Sequence, residues 1–308
     1  MKDKNAPVQA PPSFQTSNQV KLLIRMLLLL CVLRGTAANA GVIATDPGDY
    51  VAFPAGTNLA VLYYNHAERN DVYLNGHKQD VPGFGLDNDI AAYRAVHYMQ
   101  LGPLLAAPQV IVPFGSLRMK GASDTSASGV GDPLIGSAFW LINDPTHNRY
   151  LSFGTWVAPP LGNYDADDGP VNIGENRWKG VLHTSYTQSL FGNLSGEVTA
   201  EWDFFGENDD FAGMTRKQSH IFELQTHLRY DFSPGNFVGA SYYHTTGGEN
   251  RLNGVDLDDS LNTKRYLLSV ARMVAPTVQL MGQVGQDLEV RNGPKEDFRV
   301  SLRLVKIF

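Results

Sequence analysis

Residues 194–205 read LSGEVTAEWDFF and residues 219–232 read SHIFELQTHLRYDF. In the first, Val198, Ala200, Trp202 and Phe204 alternate with Glu197, Thr199, Glu201 and Asp203. In the second, Phe222, Leu224, Leu228 and Tyr230 alternate with Glu223, Gln225, His227 and Arg229. Successive side chains of a strand point to opposite faces, so each segment has one apolar and one polar side.

On both sides of these two stretches, segments of about ten residues recur between Gly, Pro, Asn and Asp clusters. They cover 59–68, 87–100, 104–113, 131–142, 149–159, 177–190, 194–205, 219–232, 236–246, 263–274, 277–290 and 297–308. The eleventh sets Val278, Leu280, Val284 and Leu288 against Gln279, Gln283, Asp287 and Glu289; the twelfth sets Phe298, Val300, Leu302 and Leu304 against Arg299, Ser301 and Arg303. The second, third, fourth, ninth and tenth alternate poorly, so their facing is not assigned. Short connections at 102–103, 143–148, 191–193, 233–235 and 275–276 take turns with longer ones at 69–86, 114–130, 160–176, 206–218, 247–262 and 291–296. An even number of bilayer-length strands with alternating short and long loops is the pattern of an outer-membrane barrel, turns facing the periplasm.

Twelve strands enclose more space than side chains fill, because about eight already give a packed interior. The charged faces therefore turn inward to a wet lumen and the apolar faces outward to lipid, with closure leaving no strand edge unpaired. The expected fold is all-β, a single 12-stranded antiparallel transmembrane barrel of the outer-membrane type.

Composition agrees. The 308 residues are 43% apolar and 18% charged, and no run approaches the roughly 18 apolar residues of a spanning helix. Lys21 and Arg25 precede the apolar run Met26–Leu33, and Ala38-Asn39-Ala40 comes after it. These are the parts of a cleaved signal peptide over 1–40, preceded by a long polar lead-in that raises the question of a start codon downstream. The barrel domain is then 41–308. The single cysteine, Cys31, would leave with the leader, as would five basic residues and one acidic one, so the net charge of −6 becomes −10. An acidic exported chain is a poor nucleic-acid binder.

Neighbouring strands carry inward charges of opposite sign. Arg177, Lys179 and His183 face Glu197, Glu201 and Asp203, which lie beside Glu223, His227 and Arg229; Asp287 and Glu289 neighbour Arg299 and Arg303. Such pairs stabilise strand pairing by about 0.2–1 kcal/mol each, and the same charges would orient a polar solute at a constriction. The candidate solute contacts are Arg177, Lys179, His183, Glu201, Asp203, Glu223, His227, Arg229, Asp287, Arg299 and Arg303. Val300, Leu302, Leu304 and the terminal Phe308 form the alternating ending that barrel-assembly machinery reads, interrupted by Lys306.

Acidic loops (Asp165, Asp167, Asp168; Glu207, Asp209, Asp210; Asp256, Asp258, Asp259) are solvated by default, with divalent cations able to bridge them to lipopolysaccharide. The run from Asp165 lacks the sixth-position glycine of an EF-hand, and no phosphate loop or metal motif occurs, so no cofactor or metal is expected. An enzyme would need a serine near an oriented histidine. Ser241, His244 and Asn250 come nearest in sequence, but Ser241 and His244 differ in parity, so no catalytic residue is assigned.

FPAGTNLAVLYYNHAERNDVYLN (53–75), SASGVGDPLIGSAFWLINDP (126–145), NIGENRWKG (172–180), GENDDF (206–211), HLRYDFSPGNF (227–237) and KEDFRVSLRLVKIF (295–308) resemble a family named for the meta-pathway of phenol degradation. The resemblance covers essentially the whole chain after the leader. It implies a Gram-negative outer-membrane barrel, often labelled a transporter and found near genes of aromatic degradation, and it implies no particular substrate or site residues. The expected function is a passive channel for small organic solutes, aromatic compounds or their acids among them. The alternative is a non-transporting structural or surface-binding barrel whose lumen is closed by its own ion pairs. Lipid, lipopolysaccharide, the assembly machinery and the solute are the expected partners.

Overall fold

The computed structural model describes residues 44–121 and 124–308; the leader 1–40, with Cys31, lies outside them. Twelve long strands form the wall: β1 (Asn58–Arg69), β2 (Gly85–His97), β3 (Leu104–Lys120), β4 (Leu134–Asp144), β5 (Arg149–Ala158), β6 (Lys179–Phe191), β7 (Leu194–Phe205), β8 (Ile221–Ser233), β9 (Asn236–Gly247), β10 (Leu261–Ala275), β11 (Val278–Val290) and β12 (Phe298–Ile307). Each pairs antiparallel with the next, and β1 pairs with β12 from Leu59↔Ile307 to Glu68↔Phe298, closing the barrel. Ten paired positions at this seam satisfy the edge that lipid would leave bare.

The alternation reads true where charge marked it. Glu197, Thr199, Glu201 and Asp203 are buried inside, while Val198, Trp202 and Phe204 are exposed outside; Leu228, Tyr230, Leu302 and Leu304 also face out. Glu289 departs from its expected side. The register between β10 and β11 shifts between Lys264↔Glu289 and Arg265↔Asp287, and this bulge at Leu288 turns Glu289 out to an exposed pair with Lys264 at 2.6 Å. A bulge reverses the parity of the residues beyond it.

The weakly alternating strands face inward with Ile90, Ala92 and Val96 of β2, Leu105, Ala107, Ile111 and Leu117 of β3, and Leu134, Ala138 and Trp140 of β4. Their outer faces are also largely apolar. The inward face of β2–β4, left unassigned by the sequence, is thus mostly apolar with Asn88, Arg94 and Gln109 set into it, and the charged wall runs through β6–β8 and β10–β12.

The long connections are built rather than loose. Lys120 ends a β3 that overshoots the wall, and Thr125–Val130 folds back on Phe114–Met119. Asp71–Leu74 and His77–Gln79 form a hairpin that pairs with Gly293–Lys295. Asn208–Phe211, Met214–Gln218, Asn250–Leu252 and Val255–Asp256 make a second small sheet. Two of these hairpins turn on Asn75-Gly76 and Asn253-Gly254, all four residues at positive φ, as a two-residue turn of this twist requires. Val171 and Ile173 of the 159–178 connection bury against Val72, Phe84, Leu86, Leu117 and Met119, an apolar cap at the long-loop end.

Candidate functional site in the lumen

Residues 44–53 run inside the barrel as a strap, and residues 54–56 beyond them are exposed. Their apolar half, Tyr50 to Phe53, packs on the apolar wall beside Val96, Tyr98, Leu105, Ala107, Ala138, Trp140 and Tyr150. Their polar atoms are satisfied by side chains of β4, β6, β8 and β9. Thr45 N donates to Gln225 Oε1 at 2.7 Å, Thr45 Oγ1 lies 2.9 Å from His227 Nε2, and Tyr243 OH donates to the Thr45 carbonyl at 2.9 Å. Tyr50 OH is 2.6 Å from His183 Nδ1, and Trp140 Nε1 donates to the Tyr50 carbonyl at 2.9 Å. Buried backbone away from a sheet is tolerated only with such partners.

The strap turns at Pro47-Gly48. Gly48 has φ +86°, a conformation that favours glycine, and the end of the Arg229 side chain lies against its α-carbon. The turn sets Asp46 and Asp49 against two arginines from the β2–β1–β12 seam. Arg303 Nη1 donates to Asp46 Oδ2 at 2.9 Å and to Asp49 Oδ1 at 2.7 Å. The other Asp49 oxygen lies 3.5 Å from Arg94 Nη1, which also donates to Tyr63 OH at 3.1 Å.

This junction divides two cavities. Above it a space of about 180 Å³ has Arg69, Arg265 and Arg299 on one side and Ile90, Ile111, Pro113 and Leu134 on the other. Below it a vestibule of about 770 Å³ is lined by Val61, Val96, Phe237, Val305 and Ile307, with Arg229 at its edge. Tyr63, Arg94 and Arg303 belong to both.

Over the upper cavity Glu296 collects three arginines. It pairs with Arg69, accepts from Arg299 Nε at 2.8 Å and lies 3.3 Å from Arg265, which also holds Asp287 at 2.9 Å. Burial alone would raise the Glu296 carboxyl, but Arg265, Arg299 and Arg69 together hold it well below the ordinary carboxylate range. At the long-loop end, buried Arg177 pairs with Glu175 and donates to Gln218 at 2.6 Å.

The eleven residues singled out in the sequence thus separate by place. Glu223, Arg299 and Arg303 line the upper cavity, and Arg229 and Arg303 line the vestibule. Arg177 and Lys179 line a pocket of about 20 Å³ near Asp132. His183, Glu201, Asp203, His227 and Asp287 line neither main cavity: Lys179 pairs with Asp203 at 2.9 Å, His183 with Glu201, and Gln225 Nε2 donates to Glu201 at 3.0 Å. Asp46, Asp49, Arg69, Arg94, Arg265 and Glu296 escaped the sequence reading, because they lie in the strap, at strand ends, in a loop or on strands without clear alternation. Ser241 and His244 face opposite sides as parity required, but Ser241 Oγ lies 2.8 Å from His227 Nδ1, a pairing the sequence did not reveal. Of the terminal residues, Leu302, Leu304 and Phe308 are exposed, Val300 is half-buried, and Phe308 exchanges backbone hydrogen bonds with Asn58.

Comparison with known proteins places this architecture. The COG4313 outer membrane channel from Pseudomonas putida F1 is 34% identical, with a TM-score of 0.82 over 86% of this chain and 100% of that one. The transport unit of the autotransporter AIDA-I from Escherichia coli (8% identity, TM-score 0.54, 89% of this chain and 97% of that one) shares the fold alone. So does the β domain of the Bordetella autotransporter BrkA (8% identity, TM-score 0.51, 83% and 100%). No curated protein matches the sequence. The family model described as "Putative MetA-pathway of phenol degradation" matches residues 69–304, and the chain, an outer-membrane β-barrel, belongs to that family.

Proposed function

We propose that the protein is a passive outer-membrane channel for small organic solutes, aromatic compounds or their acids being the class, and that the strap gates it. The observation carrying this reading is the pair of adjoining cavities that share Tyr63, Arg94 and Arg303, each with apolar and basic side chains in its lining, meeting at the strap's two aspartates. A relative's description as an outer membrane channel and the family's link to phenol degradation support it. Transport would be downhill. Reconstitution into planar bilayers tests it: solute flux is expected, and well-folded protein that passes no ion or solute would refute it.

A second reading, a structural barrel with no transport, draws on the density of the β6–β8 wall and the strap seated on it. Replacing Glu201 and Glu223 by Ala would then lower stability and leave solute uptake by cells unchanged; a selective change in uptake favours the channel. We read the chain as non-enzymatic. Ser241 and His227 are buried, and Thr45 occupies the space beside the imidazole that a substrate would need.

A further inference from the structure

We propose that Arg94 and Arg303 form a binding site for the carboxylate of an amphipathic organic acid, and that Asp49 of the strap occupies this site as an internal stand-in for the solute. The inference rests on the channel reading and gives it a substrate class.

Asp49 bridges the two guanidiniums with its two oxygens, Oδ1 at 2.7 Å from Arg303 and Oδ2 at 3.5 Å from Arg94. A planar carboxylate between two arginine forks is the geometry that any organic acid would reproduce. Among the described residues, the strap is what keeps the site from a solute in transit, because Tyr63, Arg94 and Arg303 face both cavities. Arg303 is buried, and its Nε has no hydrogen-bond partner among the described residues, so a donor remains to be used.

Charge fixes how the strap can leave. Asp46 and Asp49 balance Arg94 and Arg303, and lifting the strap alone would leave two buried cations unpaired, which is strongly unfavourable. An incoming carboxylate restores a partner, so binding of the acid and release of Asp49 are one exchange. A ligand biases an equilibrium only through its preference for one of the states. The rest of the ligand is apolar, because Val61, Val96 and Val305 line the space below the arginines and Ile111 and Leu134 the space above. Acetate gains too little from these walls, and an uncharged hydrocarbon cannot replace Asp49.

Benzoate serves as the probe, with the full chain in detergent and in liposomes. Calorimetry on wild type, Asp49→Asn and Asp49→Asn combined with Arg303→Gln reads the site. Asp49→Asn should bind benzoate at least tenfold more tightly than wild type, acetate should bind weakly to both, and Arg303→Gln should abolish the gain while Arg303→Lys recovers part of it. Heat-modifiable migration on gels establishes that each variant is folded. Maleimide labelling of Val51→Cys, in a Cys31→Ser background, should accelerate with benzoate in the Asp49-containing protein. Unchanged benzoate affinity in folded Asp49→Asn, or a labelling rate indifferent to benzoate, overturns the exchange. Liposome flux separates the two claims: flux with no benzoate site refutes this inference alone, and a benzoate site without flux refutes the channel alone.

Discussion

Asp49 and Arg303 lie 2.7 Å apart although 254 residues separate them along the chain, and this contact ties the start of the described chain to its last strand inside the barrel. It is the point at which a strap with no regular structure of its own becomes part of the wall. If the strap is a gate, loosening it without touching the wall must change flux and leave the barrel standing.

Gly48→Ala does this most locally. The positive φ of Gly48 makes alanine unfavourable by about 1 kcal/mol in the docked strap, and the end of the Arg229 side chain can move aside for the added methyl. Conductance in planar bilayers should rise while the barrel's resistance to heat on gels stays near wild type.

Tyr50 anchors the strap on both walls, through His183 and through its carbonyl to Trp140. Tyr50→Phe removes one hydrogen bond and should loosen docking by about 1 kcal/mol. Tyr50→Ala also vacates an aromatic site and should cost about 3–5 kcal/mol. The two should therefore raise flux in that order, measured by the same bilayer recording.

Glu296 is a different kind of residue, a single carboxylate among Arg69, Arg265 and Arg299. Glu296→Gln leaves buried guanidiniums undercompensated and should destabilise the barrel by about 3–5 kcal/mol in urea unfolding. Glu289→Gln, which removes an exposed partner of Lys264, should leave the midpoint unchanged.

The same cluster sets an acid limit. The folded protein holds the Glu296 carboxyl below its ordinary value, so its stabilisation is complete above the unfolded pKa of about 4.3 and disappears as pH falls through the lower folded value. Stability attributable to Glu296 should be flat from pH 7 to about 5 and fall only below about 4. Urea midpoints against pH should lose that acid fall in Glu296→Gln; a loss beginning near pH 6 would contradict the assignment.

How much of this was legible depends on how each part is encoded. β7, β8 and β12 could be read because charge sat on one face and hydrocarbon on the other. β2–β4 could not, since Ile90, Ile111 and Leu134 face a lumen that is mostly apolar on that side, and both faces then look alike. Asn75-Gly76 and Asn253-Gly254 carry a hairpin signal inside stretches that otherwise read only as loops. Glu289 lies beyond one bulged residue that reverses its facing, which no alternation count detects. The strap had no period at all. Its partners are fixed by three-dimensional closure, with Thr45 meeting Gln225 180 positions away and Asp46 meeting Arg303 257 positions away.

Benzoate flux into liposomes, compared between wild type and Gly48→Ala, tests the gated channel most directly. Measurable flux through wild type should increase severalfold when the strap is loosened, with the barrel still folded. Folded protein that passes no benzoate in either form would contradict it.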